Sequence, residues 1–142
     1  MRLLLDTNIV LTVLKREEGF DECLNVLNLA SENRAVELIT ASSVTDIFYM
    51  LKKHIHDKRQ AKALLKELLD LVGIVPVGAE EIRLAIELDW DDFEDAVQFA
   101  AGKANAVDYI ITYNVRDFAL SDIPVCTPEE ILSIFGNATK EQ

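Results

Sequence analysis

Cysteine is scarce in this chain of 142 residues: Cys23 and Cys126 stand far apart, too few for a disulfide framework or a thiolate metal site. The five glycines are scattered singly, which excludes a glycine-rich phosphate loop. The only histidines, His54 and His56, are two residues apart and would not face one another on a helix. No nucleophile accompanies them, so they read as exposed imidazoles at a helix end. Apolar runs are short. Leu3-Leu4-Leu5 is broken by Asp6 too early for a signal-peptide core, and no run approaches the roughly 20 residues of a membrane span. The expectation is a soluble, cytoplasmic protein. Positive charge is also in short supply, with 14 Lys+Arg against 25 Asp+Glu and a net charge of −11. That balance excludes a general nucleic-acid coat protein or a membrane-surface binder. It leaves open an enzyme that meets nucleic acid through cations held by carboxylates, because bound cations reverse the local field.

What is present is half hydrophobic, which excludes disorder, at a length typical of one domain. Leu3–Leu5, Leu38–Thr40, Ile74-Val75, Tyr109–Ile111 and, more weakly, Val125-Cys126 read as short buried strands. Between them, Phe20, Cys23, Leu24 and Leu27, then Val44, Ile47, Phe48 and Leu51, then Leu64, Leu65, Leu68, Leu69 and Val72 recur at helical spacing. Strands alternating with helices imply right-handed crossovers and parallel pairing. The predicted fold is therefore an α/β three-layer sandwich around a central parallel sheet of about five short strands. Gly73 is placed as a C-terminal helix cap, and Thr127-Pro128-Glu129-Glu130 as a capping box opening the last helix. No linker or repeat interrupts the chain. Residues 1–136 are expected to form a single domain, and 137–142 a frayed tail.

In such a sheet, ligands sit beyond the carboxyl ends of the strands. Asp6 follows the first strand, with Thr7 and Asn8 behind it, and Asp46 lies about one turn into the helix after the second strand. Asp92-Phe93-Glu94-Asp95 precedes the fourth strand's helix, and Thr112-Tyr113-Asn114-Val115-Arg116-Asp117 follows that strand. Each acid alone has an ordinary reading as a helix cap, a dipole partner or a solvated flank. Carboxylates gathered on one sheet edge repel one another unless cations lie between them. All-oxygen donors without Cys or His select Mg²⁺ or Mn²⁺. Such a cluster suits phosphodiester cleavage. Lys58, Lys62 and Lys66 share a helix face, either as a solvated stripe or as a guide for an RNA backbone. Trp90 and Phe93 are expected to anchor the core rather than stack a base.

Leu4-Leu5-Asp6-Thr7-Asn8, Asp46, Asp92-Phe93-Glu94-Asp95-Ala96 and Tyr109–Phe118 together resemble a PIN domain, and more narrowly the VapC-like ribonuclease toxins of prokaryotic toxin–antitoxin pairs. The resemblance spans nearly the whole chain. It implies a Mg²⁺- or Mn²⁺-dependent endoribonuclease acting on single-stranded RNA, a small antitoxin partner and a homodimer. Asp6 and Asp95 match the family's metal-holding acids, and Asp46 matches a position where the family more often has Glu. Thr7, Asn8 and Thr112 are expected to hydrogen-bond these ligands. After the fourth strand many relatives carry an acid two residues beyond the threonine, where this chain has Asn114. Asp117 is favoured as the fourth, water-mediated site residue, with Asn114 holding the loop. Two alternatives stand beside this reading. One is a PIN-like binding module with weakened catalysis. The other is a haloacid dehalogenase-type phosphatase, disfavoured because Asn8 stands where that chemistry needs a second acid.

Overall fold

The computed structural model describes the backbone of residues 1–140 and the side chains through residue 136, so the tail expected over 137–142 lies outside the fully described residues. Five parallel strands form one sheet: β1 (Arg2–Leu5), β2 (Val36–Thr40), β3 (Gly73–Val75), β4 (Tyr109–Ile111) and β5 (Val125–Cys126), in the order β3-β2-β1-β4-β5. Seven α-helices accompany them among the described residues: α1 (Thr7–Leu14), α2 (Phe20–Ser31), α3 (Ala41–Ile55), α4 (Lys58–Leu71), α5 (Ala79–Glu87), α6 (Phe93–Ala104) and α7 (Pro128–Lys140). A short 3-10 helix covers Val115–Phe118.

The sheet is buried on both sides because successive side chains point to opposite faces. Leu3, Leu5, Ile39 and Ile111 pack with Ile9, Val26, Ile47, Leu68 and Ile131, from α1, α2, α3, α4 and α7. Leu4, Leu38 and Ile110 face the other way, against Phe99 and Ala101 of α6. Helices on both faces of a five-strand parallel sheet are the three-layer sandwich expected from the sequence. On the second face the Trp90 ring stacks on Phe99 at 5.0 Å and meets Phe118 edge-on at 5.6 Å, so Trp90 is a core anchor.

Helix caps follow the sequence at α6 and α7. Thr127 and Glu130 exchange backbone-to-side-chain hydrogen bonds at 3.1 and 3.2 Å, the reciprocal box that starts α7. Asp92 accepts from the Asp95 N–H at 2.9 Å and starts α6. Gly73 is the exception. The C-cap of α4 is Val72 in extended conformation, and Gly73 already belongs to β3. A Cβ at Gly73 would stand 3.0 Å from Leu38 Cδ2. Close strand packing, not a left-handed cap, explains this glycine.

The chain builds β1, β2 and β3 outward in one direction, then returns to lay β4 on the other side of β1. The carboxyl ends of β1 and β4 therefore border the point where the strand order reverses, the place where open α/β sheets leave a crevice. Asp6 and Thr112 are the first residues beyond those two ends.

Candidate active site

Asp6 is 6% exposed, and its carboxylate accepts hydrogen bonds from three separate segments. Its backbone N–H extends the ladder to Ile111 O at 2.9 Å, which fixes the residue to the β1–β4 seam. Oδ1 accepts from the Thr7 N–H at 2.8 Å as the N-cap of α1, and from Gln98 Nε2 at 2.9 Å. Oδ2 accepts from Thr112 Oγ1 at 2.7 Å. Thr112 is fully buried, and its hydroxyl oxygen also accepts from the Asn114 N–H at 2.9 Å and, at the limit of 3.5 Å, from Asn8 Nδ2. One threonine thus joins the first acid to the loop after β4.

The other acids arrive on α3, α6 and the 3-10 helix. Asp6, Asp46, Asp95 and Asp117 line one cleft of about 390 Å³, together with Thr7, Asn8 and Asn114. Burial first, then the charges of Asp6, Asp92, Asp117 and Glu94, push the Asp95 carboxyl up to about 7. Glu94 rises to about 7 as well, by desolvation, then by its side-chain hydrogen bond to Asp46 and the charges of Asp46, Asp92 and Asp6. A cleft in which acids lift one another's pKa is a site that repels further negative charge until a cation enters.

Asp92 and Glu94, read from the sequence as part of the acidic run before α6, also line the cleft. Leu11, Tyr49, Met50 and Gln98 line it too and are not among the residues read as a site from the sequence. Gln98 is the most consequential, 1% exposed and bonded directly to Asp6. A signal for it existed: it lies three residues after Asp95, on the same helix face, and is the one polar residue in the apolar run 96–102. Two expectations, for Phe93 and for the α4 lysines, end elsewhere. Phe93 is 51% exposed and does not anchor the core. His54 and His56 are exposed at the end of α3, as expected. Lys58, Lys62 and Lys66 are exposed on α4 but none lines the cleft; Lys62 borders a separate hollow with Phe48, Tyr49 and Leu65.

The donor set suits a hard divalent cation, since Asp6, Asp46, Asp95, Glu94 and Asp117 offer oxygen alone. Three buried oxygens around Asp6 point the same way: Thr7 Oγ1, Asn8 Oδ1 and Gln98 Oε1 have no hydrogen-bond partner. Buried acceptors left unpaired cost about 1–3 kcal/mol each unless something in the cleft supplies a donor. Among the described residues no three acids stand close enough together to hold an ion as they are placed.

Comparison with known proteins agrees with this geometry. A family model described as PIN domain matches residues 2–116. The chain is 27% identical over 135 residues to Ribonuclease VapC1 of Aquifex aeolicus (strain VF5), covering 91% of this chain and 92% of that protein. The solved structure of VapBC2 from Rickettsia felis, bound to a DNA fragment from its promoter, aligns with TM-score 0.69 at 19% identity, over 89% of this chain and 97% of that one. Mycobacterium tuberculosis VapC20, a Sarcin-Ricin loop cleaving toxin, aligns with TM-score 0.67 at 16% identity, over 83% of this chain and 94% of that one. At these identities the two solved structures speak for the fold.

Proposed function

This chain belongs to the PIN domain family, and on that premise we propose that it is a divalent-metal-dependent endoribonuclease, the toxin of a toxin–antitoxin pair. Its substrate in this reading is single-stranded RNA in the cytoplasm. The observation that carries the proposal is the meeting of Asp6, Asp46, Asp95 and Asp117, from four separate segments, in one cleft where the strand order reverses. Its likeness to a curated ribonuclease over nearly the full length of both chains supports the same reading. When bound, Mg²⁺ or Mn²⁺ would supply the positive charge that phosphodiester hydrolysis needs at the phosphate and at the attacking water. Asp6, Asp95 and Asp46 would hold the cation, and Asp117 would add charge from the rim. Thr7 and Thr112 orient Asp6, and Asn8 reaches it through Thr112. The products are a 5′-phosphate and a 3′-hydroxyl.

Metal removal tests this directly. Purified protein incubated with a single-stranded RNA oligonucleotide is expected to stop cutting in excess EDTA and to resume when Mn²⁺ or Mg²⁺ is restored. Undiminished cleavage in chelator overturns the mechanism. The binding-module alternative predicts RNA retention without cleavage under every metal condition.

An enzyme that cuts cellular RNA needs restraint, and a small antitoxin is the partner we propose. A guanidinium is the group best suited to this cleft, since it pairs bidentately with carboxylates. We also propose a homodimer, and a role for the exposed lysines of α4, which packs on α3, in drawing RNA toward the cleft.

Asn114 and Asp117 separate in their expected effects. The loop after β4 is held by the Asn114 backbone, whose N–H reaches Thr112 Oγ1 and whose C=O accepts from the Asp117 N–H at 3.0 Å. Alanine keeps both groups. Asn114→Ala is therefore expected to change melting temperature and Mn²⁺ affinity little, which revises the loop-holding role read from the side chain. Asp117→Asn removes a charge that acts on Asp95 and is expected to weaken Mn²⁺ binding several-fold, read by titration calorimetry. The reverse pattern would make Asn114 the fourth site residue.

A further inference from the structure

Asp6 is the best-buried acid of the cleft, and its lone pairs can be counted. Oδ1 accepts two hydrogen bonds, from the Thr7 N–H and from Gln98 Nε2, which uses both of its acceptor sites. Oδ2 accepts one, from Thr112, and has one site left. The orientation of the Gln98 amide follows from its partner: an ionised carboxylate only accepts, so the NH₂ end faces Asp6 and Oε1 faces away. That Oε1 is buried and unpaired in a residue 1% exposed, at the edge of the same cleft. A glutamine held only for packing would be replaced by an apolar side chain at no cost, since its unpaired oxygen carries a desolvation penalty.

We propose that Gln98 is a positioning residue: its amide occupies Asp6 Oδ1, so that the carboxylate offers a cation Oδ2 alone, in one orientation fixed by α6. The inference rests on the metal-dependent reading above and assigns the orienting role to α6 as well as to the loops. Helix α6 then contributes twice to one site, through Asp95 as a donor and through Gln98, one turn later, as the clamp on the opposite acid. Partners that orient a ligand in this way typically govern about 10–100-fold of metal affinity.

The test compares wild type with Gln98→Met, which fills the same volume without polar atoms, and Gln98→Asn, which keeps a buried amide but withdraws it from Asp6 by about one bond length. Mn²⁺ affinity is read from the free-ion electron paramagnetic resonance signal, and the Mn²⁺ concentration for half-maximal RNA cleavage is read alongside it. Both variants are expected to bind Mn²⁺ about 10–100-fold more weakly, with the activity curve displaced by the same factor. Their metal-free melting temperatures are expected within about 3 °C of wild type, since roughly 1 kcal/mol separates the states. A purely structural residue would lower the melting temperature and leave the affinity of the folded fraction unchanged, and that pattern overturns the proposal. Equal Mn²⁺ affinity in wild type and in whichever variant folds also overturns it, with the metal-dependent reading intact. A wild-type protein that binds no Mn²⁺ overturns both.

Discussion

Asp95→Asn is expected to abolish RNA cleavage and, in metal-free buffer near pH 7, to melt at a higher temperature than wild type. The two effects have one cause. Burial and the charges of Asp6, Asp92, Asp117 and Glu94 hold the folded-state pKa of Asp95 at about 7, against an ordinary value of 3.8. The fold thus disfavours the ionised carboxylate. Its stabilising contribution is complete below pH 3.8 and is lost as pH rises through 7. Asparagine carries no such penalty, so the variant's advantage is absent near pH 4 and grows towards neutrality. A cation reverses the balance. Wild type is expected to gain about 2.7 kcal/mol of stability at Mn²⁺ a hundredfold above its dissociation constant, and the variant to gain far less. Cleavage should fall by more than the roughly 100-fold upper range seen when only a ligand's hydrogen-bond partner is lost. Asp6→Asn is expected to be inactive too, but less stable, because an amide NH₂ cannot accept from Thr7, Gln98 and Thr112 as the carboxylate does. Wild-type cleavage by the Asp95→Asn protein, or a Mn²⁺-induced stabilisation equal to that of wild type, would show that the site is misassigned.

The strands were legible because they are short and buried on both faces, which compresses them into runs such as Leu3–Leu5 and Tyr109–Ile111 between helical patterns. The acids were legible because topology leaves few positions beyond strand ends, and Asp6, Asp46 and Asp117 occupy three of them. Helix α5 was not read at all. Its buried residue is Ala85, while Leu84 and Ile86 are 38% and 67% exposed, so its apolar pattern does not mark the inward face. Gly73 was misread because a glycine after a helix and a glycine opening a strand look alike when no loop separates them. Gly19 shows the opposite case. It sits at φ +92° before α2, and a Cβ there would lie 2.5 Å from the Tyr113 hydroxyl, a contact between distant segments that no local pattern announces. Gln98 escaped for a related reason. A polar residue on a helix is read outward by default, and only the packing of α6 against the sheet turns it towards Asp6.

The other large effect lies away from the cleft. Glu37, on β2 opposite Leu3, is 2% exposed, and neither carboxyl oxygen has a hydrogen-bond partner. Burial pushes its pKa up to about 8 from 4.5, against a smaller opposing pull from the Ala30 backbone. The neutral acid is therefore the form the fold accepts. Its contribution is complete below pH 4.5 and is lost progressively as pH rises through 8. At 1.36 kcal/mol per unit, the penalty at pH 7 is on the order of 3 kcal/mol. Glu37→Met keeps the unbranched length and removes the polar atoms, so it is expected to stabilise the protein by at least that amount at pH 7, about 10 °C or more in melting temperature. Near pH 4 the gain should shrink to the about 1–3 kcal/mol that an unpaired neutral carboxyl costs. Glu37→Gln removes the same pH dependence but leaves a buried amide unsatisfied, so it should fall short of Glu37→Met by about 1–3 kcal/mol at every pH. Because Glu94 and Asp95 titrate in the same range, the quantity to measure is the difference between wild type and each variant by urea unfolding from pH 4 to 8. A difference independent of pH would mean that Glu37 ionises freely in the native state. The buried face of β2 would then have to admit solvent or a compensating donor at that position.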